Sequence, residues 1–220
     1  WIREIDVNPL YAAPEGLLAL DARVILHGPE MTQDALPRPA IRPYPTQYVG
    51  RWTARDGREI LIRPIRPEDE PLLVTFHGTL SERSVSFRYF HAMKLSTRVA
   101  HDRLTRICFI DYDREMALVA EARNPETRQP ELLGVGRLAK RFPANEAEFA
   151  LLVSDKAQGL GLGTELLSRL IGVGRDEKVD RITAEILPEN TEMQRVSRRL
   201  GFRLLQSPGE AIVRAELDLT

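Results

Sequence analysis

The sequence lacks the residues that most small metal sites and disulfide frameworks require. Cys108 is the only cysteine, which excludes an intrachain disulfide and a multi-cysteine metal site. The four histidines show neither HxH nor HxxxH spacing, so a zinc enzyme is not expected and no metal is predicted. A chain with a single cysteine fits a reducing compartment, and we therefore expect a cytoplasmic protein.

Two further absences restrict the class of partner. The longest apolar runs, such as residues 149–153, are far too short to span a bilayer, and no segment has the pattern of a signal peptide. Charge is balanced, with 31 Lys and Arg against 32 Asp and Glu, so neither nucleic acid nor an anionic membrane is an expected partner. The composition is that of a globular protein, and 220 residues are enough to bury a core.

Composition divides the chain into three regions. Residues 1–26 alternate like two short strands around the turn Pro14-Glu15-Gly16, and because a lone hairpin is marginal in water, this region needs a partner surface. Residues 27–48 contain five prolines and few large apolar residues, which predicts an extended linker. Residues 49–220 carry the patterns of the main domain. Since the first residue is Trp1 and not methionine, we expect the remainder of a larger polypeptide at the N-terminus.

The main domain follows the order strand, helices, three strands, helix, strand, helix, two strands. Helices are predicted to begin at Pro67, at Ser81, after a glycine-rich turn near residue 162, and at Asn190. Alternation and apolar content predict strands at residues 58–65, 116–122, 131–139, 147–153 and 181–187, and a final hairpin around Ser207-Pro208-Gly209-Glu210. This order predicts an α/β fold with a mixed β-sheet of about seven strands flanked by helices.

A glycine-rich loop stands between the fourth predicted strand and the helix that follows it. The segment Gln158-Gly159-Leu160-Gly161-Leu162-Gly163 can turn sharply and approach a ligand closely. Its free N–H groups and the positive end of the helix converge on one point, which suits a pyrophosphate. The loop lacks the lysine of a P-loop, and Thr164 stands where a dinucleotide fingerprint has its third glycine. On its own, the loop is equally consistent with a turn that binds nothing.

In its context the loop resembles motif A of the GNAT superfamily of N-acetyltransferases. The N…LGF segment of that family is matched by Asn190 and Leu200-Gly201-Phe202, and Ile62-Arg63-Pro64 with Pro67-Glu68-Asp69 resembles the first strand and helix of many members. The resemblance covers about residues 58–219. It implies acetyl-CoA as co-substrate and a sheet that splays between its fourth and fifth strands. The residues that it implies as contacts of acetyl-CoA are Leu151, Leu152, Val153, Gln158, Gly159, Leu160, Gly161, Leu162, Gly163, Thr164 and Asn190.

The same resemblance places a general base at Glu148. A lysine side chain has a pKa of about 10.4, so only about one lysine in a thousand carries a neutral amine near pH 7. A base in the cleft that removes the proton therefore speeds acetyl transfer. GNAT protein acetyltransferases often carry their base glutamate at this point of the strand. The alternative is a solvated glutamate, and Glu146 and Glu185 are the reserve candidates. Many members have a tyrosine as general acid where this sequence has Ser197, so Ser197, a water or no group protonates the thiolate.

The front of the chain carries a second resemblance. Residues 1–26 resemble the last hairpin of the ATP-grasp domain in NDP-forming acyl-CoA synthetases, with Asn8 and Asp21 at positions that help to hold a metal-nucleotide. The other residues of that active site are absent from this sequence, so no ligase activity is expected. A synthetase-like region, a linker and a C-terminal GNAT domain together resemble bacterial protein lysine acetyltransferases that acetylate acyl-CoA synthetases.

The combined resemblance implies acetylation of lysines in such synthetases. Direct transfer from the thioester is expected, because Cys108 lies between Ile107 and Phe109 and is interpreted as a core residue and not as a nucleophile. Three alternatives stay open: an acetyltransferase for a small amine, a non-catalytic acyl-CoA sensor that regulates a fused synthetase, and a nucleotide-binding module.

Overall fold

The structure is a computed structural model that describes residues 1–32, 35–36, 41–206, 209 and 211–219. The chain divides at Ile41 into two units, Trp1–Ile41 and Arg42–Thr220. Pro37 and Pro39 of the predicted linker lie outside the described residues, and so do three of the four residues of the predicted turn at 207–210.

The first unit is a long antiparallel hairpin whose two arms are each broken once. β1 (Ile2–Val7) pairs with β4 (Ala22–Leu26), and β2 (Leu10–Ala13) pairs with β3 (Gly16–Ala19). The predicted turn between the arms is confirmed, whereas the breaks at residues 8–9 and 20–21 were not predicted. Almost every side chain of these strands is exposed, as expected of a hairpin without a core of its own.

An eight-stranded mixed sheet forms the centre of the second unit. All neighbouring strands are antiparallel except β9 and β10, which run parallel. The predicted α/β fold is confirmed, with one strand more than expected, because the short β5 adds an edge. The strands are β5 (Gly50–Thr53), β6 (Glu59–Pro64), β7 (Glu115–Arg123), β8 (Pro130–Arg141), β9 (Glu146–Val153), β10 (Arg181–Ile186), β11 (Arg203–Leu205) and β12 (Val213–Asp218), in the spatial order β11-β12-β10-β9-β8-β7-β6-β5.

Helices cover both faces of this sheet. They are α1 (Glu70–Gly78), α2 (Glu82–Tyr89), α3 (Leu95–Arg98), α4 (His101–Cys108), α5 (Leu162–Asp176) and α6 (Thr191–Arg199). Ser81 caps α2 as predicted, accepting a hydrogen bond from the Ser84 N–H. α3 and α4 were not predicted, because Lys94 and Ala100 at their N-cap positions provide no side-chain cap and so give no start signal. Within the described residues, no helix combines the length and the apolar character that crossing a bilayer requires.

The sheet separates two apolar cores. On one face α5 buries Leu166, Leu167 and Leu170 in a cluster that includes Phe149 of β9. On the other face α1 and α4 form a second cluster, which includes Cys108 at 1% exposure. Burial raises the pKa of the Cys108 thiol to about 11, so the thiolate is disfavoured and the prediction of a core cysteine is confirmed.

The residues just before β5 contact the second unit directly. The Tyr44 hydroxyl donates to the Pro64 carbonyl oxygen at 2.8 Å, and Arg42 bonds Glu177 at 2.5 Å. Residues 42–48, the last seven of the predicted linker 27–48, therefore belong to the second unit by their contacts. The domain assignment stays a prediction. It gives residues 1–26 as a remnant hairpin of a synthetase-like domain, residues 27–48 as a linker and residues 49–220 as the acetyltransferase domain.

A buried ion network joins β6 to the start of α1. The Arg63 guanidinium donates two hydrogen bonds to the Asp69 carboxylate, at 2.8 and 2.6 Å, and a third to Glu121 of β7 at 2.9 Å. Arg63 is 4% and Asp69 3% exposed. Asp69 also accepts from the Arg66 N–H at 2.8 Å, so the residues Arg63-Pro64 and Pro67-Glu68-Asp69 are held together by one carboxylate.

We expect Asp69→Asn to lower the free energy of unfolding by about 3 kcal/mol, because it leaves the buried Arg63 charge without its main partner. Urea denaturation measures this loss. Glu59→Gln in the exposed Arg51–Glu59 pair is the matched control, expected to change the same quantity by less than about 0.5 kcal/mol. Equal effects of the two substitutions would contradict a structural role for the buried network.

Candidate active site

The cleft begins where the two parallel strands separate. β9 and β10 pair only from Glu146–Arg181 to Glu148–Thr183, although β9 continues to Val153. Its other edge is paired along its whole length with β8. In the described part of the chain, no strand pairs with residues 149–153 on the β10 side. Those residues offer unpaired backbone groups to an extended ligand, in the manner of an added strand.

The glycine-rich loop closes one end of this opening. Gly159 and Gly161 have φ of +76° and +93°, which is a left-handed conformation that only glycine adopts without strain. Gly161 is the N-cap of α5 and provides no side-chain cap, and the first hydrogen bond into the helix is from Glu165 N to Gly161 O. The N–H groups of the first turn are thus free, and the helix dipole makes this point favourable for an anion.

A cavity of about 530 Å³ extends along the loop and the free strand edge. Among the eleven residues predicted to contact acetyl-CoA, ten line it: Leu151, Leu152, Val153, Gln158, Gly159, Gly161, Leu162, Gly163, Thr164 and Asn190. Leu160 does not, because it is a partly buried residue whose carbonyl oxygen accepts from the Arg55 N–H at 3.3 Å. The geometry therefore brings the predicted contacts together, while their role in binding stays a prediction.

The sequence interpretation missed the cations of this cleft. Five arginines line it, against the two carboxylates Asp155 and Glu192, and the arginines are Arg55, Arg83, Arg88, Arg195 and Arg199. They come from the β5–β6 turn, from α2 and from α6. This excess of positive charge complements a ligand with several phosphates. No local pattern marked these arginines, because only tertiary packing decides which face of α2 and α6 meets the cleft.

Asp155 joins the loop to α2. Its carboxylate accepts from the Ser81 N–H at 2.7 Å and from the hydroxyls of Ser81 and Ser84 at 2.8 and 2.9 Å. Burial acts to raise the pKa of Asp155, but these donors outweigh it and hold the pKa below its usual value. The Gln158 amide donates to the Ser84 hydroxyl at 3.1 Å. The side chain of Gln158 thus supports the loop, and the residue also lines the cleft.

On the α6 side of the cleft, Asn190 lies where the sequence predicted, whereas Ser197 lies away from the cleft. Asn190 caps α6 as predicted, with its Oδ1 accepting from the Met193 N–H at 3.1 Å. Ser197, one of the three options for protonating the thiolate, is completely buried and lines neither of the two cavities described here. Its hydroxyl has no hydrogen-bond partner among the described residues. Its position away from the cleft disfavours direct proton transfer from Ser197.

Glu148 lies at the point where the strands separate, since it belongs to the last pair of the β9–β10 ladder. It shares a face of β9 with Ala150 and Leu152, because side chains alternate along a strand, and this is the face opposite α5. Its side chain is 38% exposed, and its Oε2 accepts from the Arg141 guanidinium. Glu148 therefore lies in a charged and solvent-accessible environment. Among the reserve candidates, Glu146 lies 3.7 Å from Arg181 and Glu185 is exposed on β10.

A second cavity of about 250 Å³ lies on the Glu148 face of β9. Its walls come from α1, α2, α4, β8 and β9, and Arg88 and Leu152 line both cavities. His77, which is 3% exposed, also lines it, and its Nδ1 atom has no hydrogen-bond partner among the described residues. Burial, followed by the charges of Arg103 and Arg98, lowers the pKa of His77 to about 4, so the imidazole is neutral at pH 7.

Comparisons with known proteins agree with this geometry. The chain matches the family model described as an acetyltransferase (GNAT) domain over residues 59–203. An acetyltransferase of Pseudomonas aeruginosa is 31% identical over 157 residues, which are 71% of this chain and 81% of that protein. The acetyltransferase Pat of Mycolicibacterium smegmatis is 29% identical over 162 residues, which are 73% of this chain but only 44% of that protein. The crystal structure of the GNAT domain of S. lividans PAT matches with a TM-score of 0.70 at 30% identity, over 80% of this chain and 100% of that one.

We expect Gly161→Ala to weaken acetyl-CoA binding about tenfold, because a left-handed alanine costs roughly 1–2 kcal/mol and the loop relaxes away from its present conformation. Isothermal titration calorimetry measures the Kd. Gly172→Ala, in the interior of α5 with nothing within 4 Å of the added carbon, is the matched control and leaves the Kd unchanged. A normal Kd for Gly161→Ala would show that the loop conformation does not matter for binding.

We expect His77 to make the protein less stable in acid. Because its pKa is lower in the folded state, the unfolded chain binds the extra proton first, and stability is lost as pH falls from about 6.5 towards about 4. The contribution is roughly 2 kcal/mol between pH 7 and pH 5. Denaturant titrations of wild type and His77→Gln at both pH values measure it. Parallel pH dependence in the two proteins would contradict a neutral, buried His77.

Proposed function

The chain belongs to the GNAT acetyltransferase family, as the sequence predicted, and we propose that it acetylates lysine side chains of other proteins. Acetyl-CoA is the co-substrate of this family. The observation that carries the proposal is the position of Glu148, which is partly exposed at the separation point of the strands. A carboxylate open to solvent beside the cleft can be reached by a lysine on a large surface, whereas a small amine calls for an enclosed pocket.

The acceptor class is proposed from the relatives and from the front of the chain. Two of the similar proteins are named Pat or PAT, and residues 1–26 resemble part of an acyl-CoA synthetase. We therefore propose acyl-CoA synthetases as the protein substrates and a synthetase-like region as the rest of a longer polypeptide. The cytoplasmic location expected from the single cysteine stays part of this proposal.

The proposed mechanism is direct transfer with Glu148 as base. Arg141 holds Oε2 of Glu148, which leaves Oε1 to take a proton from the lysine ammonium and give the neutral amine. The neutral amine nitrogen then bonds to the thioester carbon, the C–S bond breaks and the sulfur leaves as a thiolate. The second proton of the nitrogen passes to solvent, which leaves the neutral amide. A backbone N–H near Val153 stabilises the negative charge that develops on the carbonyl oxygen. The positive charges of Arg141 and Arg88 disfavour the ammonium form of the incoming lysine.

The contacts proposed for acetyl-CoA follow the charge and the shape of the first cavity. The free N–H groups at the start of α5 and the arginines of the cleft other than Arg88 receive the phosphates. Leu151, Leu152 and Val153 pair through their backbone with the extended amide chain. The cavity volume and the two left-handed glycines fit a long, anionic ligand that approaches the backbone closely.

We expect Glu148→Gln to lower kcat/KM for lysine acetylation roughly 100-fold or more, because the base is lost, while the Kd of acetyl-CoA is retained. Thiol release with a purified acyl-CoA synthetase, followed by mass spectrometry of its lysines, measures transfer. Glu146→Gln and Glu185→Gln are the matched controls on the same two strands. Loss of activity in Glu146→Gln and not in Glu148→Gln would move the base to Glu146.

The same assay separates the alternatives. Transfer to free amines and to no protein would support a small-molecule acetyltransferase. Tight binding of acetyl-CoA without transfer to any amine, in both wild type and Glu148→Gln, would support a non-catalytic sensor and would remove Glu148 from the list of catalytic residues.

A further inference from the structure

The second cavity is not used by the mechanism proposed above. Acetyl transfer needs the first cavity, the free edge of β9 and Glu148, and none of these explains a second chamber of about 250 Å³ beside them. The chamber has apolar walls that include Phe76 and Ile107, and a group of basic side chains projects into it. Such a combination of apolar walls and a few polar groups is typical of a ligand pocket.

Two of the three arginines that line this chamber have no carboxylate within ion-pair distance among the described residues, although the charge of Glu148 acts on Arg88 from farther away. Arg137 is paired, since its Nε donates to Glu115 at 2.5 Å. In the part of the chain that the structure describes, no carboxylate lies within 4.0 Å of a nitrogen of Arg88 or Arg103. Arg103 donates to the Arg98 carbonyl oxygen and to the Tyr89 hydroxyl, and Arg88 lies 5.0 Å from the centre of the Tyr89 ring. Burial is the main cause that lowers the pKa of Arg88.

The buried histidine is an independent observation on the same wall. His77 is 97% buried, lines the chamber and has an Nδ1 atom with no partner among the described residues. A buried polar nitrogen without a partner costs free energy unless a ligand or a water satisfies it. His77 is a neutral imidazole beside two guanidiniums that have no carboxylate partner among the described residues. It can donate a hydrogen bond to an anion, and it adds no charge of its own.

The second cavity shares part of its wall with the first. Arg88 and Leu152 line both cavities, and Leu152 belongs to the strand segment proposed to hold the thioester. A group attached to the reacting carbon, or next to the attacking amine, is therefore able to enter the chamber. A lysine ammonium is repelled by its guanidiniums, whereas a carboxylate is attracted to them.

We propose that this second cavity binds a carboxylate carried by one of the two reactants. The carboxylate is either the far end of a dicarboxylic acyl group on the thioester donor or an acidic group beside the acceptor amine. In the first case the reaction is succinyl-type transfer: the same C–N bond forms, the same C–S bond breaks, and the distal carboxylate stays ionised. Arg88 and Arg103 bind the anion, and His77 donates to it. The proposal rests on the proposed function only in that an acyl-CoA occupies the first cavity.

The donor test compares succinyl-CoA with butyryl-CoA, which has the same number of acyl carbons and no carboxylate. We expect wild type to bind succinyl-CoA about tenfold more tightly in calorimetry, because a charge-assisted hydrogen bond to a buried arginine contributes about that much. In Arg103→Gln the preference disappears, and in Arg103→Lys part of it returns. Arg106→Gln, on the exposed side of the same helix, keeps the full preference. Butyryl-CoA affinity checks in each variant that the first cavity is intact.

The acceptor test uses acetyl-CoA and two lysine peptides that differ by Glu or Gln next to the lysine. If the acceptor supplies the carboxylate, kcat/KM is about tenfold higher for the Glu peptide, and Arg103→Gln removes the difference. The proposal is supported if Arg103→Gln removes either the preference for succinyl-CoA or the preference for the Glu peptide. The preference that is removed identifies the source of the carboxylate. The proposal is overturned if wild type binds succinyl-CoA and butyryl-CoA with equal Kd and uses the Glu and Gln peptides with equal kcat/KM. The donor test measures binding alone, so a preference for succinyl-CoA that depends on Arg103 supports the proposal even if no lysine acetylation is found. If the donor pair is equal, the Glu and Gln peptides are compared by calorimetry with the CoA-bound protein, and equal Kd values there overturn the proposal.

Discussion

The whole site depends on one interruption of hydrogen bonding between two parallel strands. β9 and β10 are paired up to Glu148 and Thr183 and then separate, although both strands continue. Past that pair, the backbone of β9 has unpaired groups on one edge, and unpaired backbone groups must be satisfied by a ligand or by water. The same interruption leaves Glu148 at the base of the opening. Binding of an extended ligand and access to a carboxylate are therefore consequences of a single feature of the sheet.

That interruption is stabilised from both sides of the cleft. Asp155 follows β9 directly and accepts three hydrogen bonds from the N-terminus of α2 and its cap, so the end of the strand and the start of the helix are fixed to each other. α2 in turn carries Arg88, which lines both cavities. The position of the guanidinium beside the reacting centre thus depends on a carboxylate at the other end of its helix. On the far side, Asn190 fixes the start of α6 in the same way, through the Met193 N–H.

The sequence predicted what is encoded locally. The glycines of the loop, the cap at Asn190 and the face of Glu148 follow from backbone conformation and alternation, and the structure shows the expected geometry at each. Contributions from distant elements could not be predicted in this way. His77 and Arg103 lie on α1 and α4, and only the packing of those helices on the sheet brings them to β9. β5 was missed because four residues show too little periodicity, and α4 was missed because Ala100 at its N-cap position gives no capping signal.

The distribution of charge bears on which group, if any, protonates the leaving thiolate. A tyrosine that would protonate the leaving thiolate is replaced by Ser197, and Ser197 is buried away from both cavities. A free thiol has a pKa of about 8.5, and nearby cations lower such a value further. Arg88 is the arginine that lines both cavities among the described residues, and in the proposed mechanism its charge would favour a thiolate that leaves without receiving a proton from the protein. The proposed mechanism therefore needs no general acid from the protein.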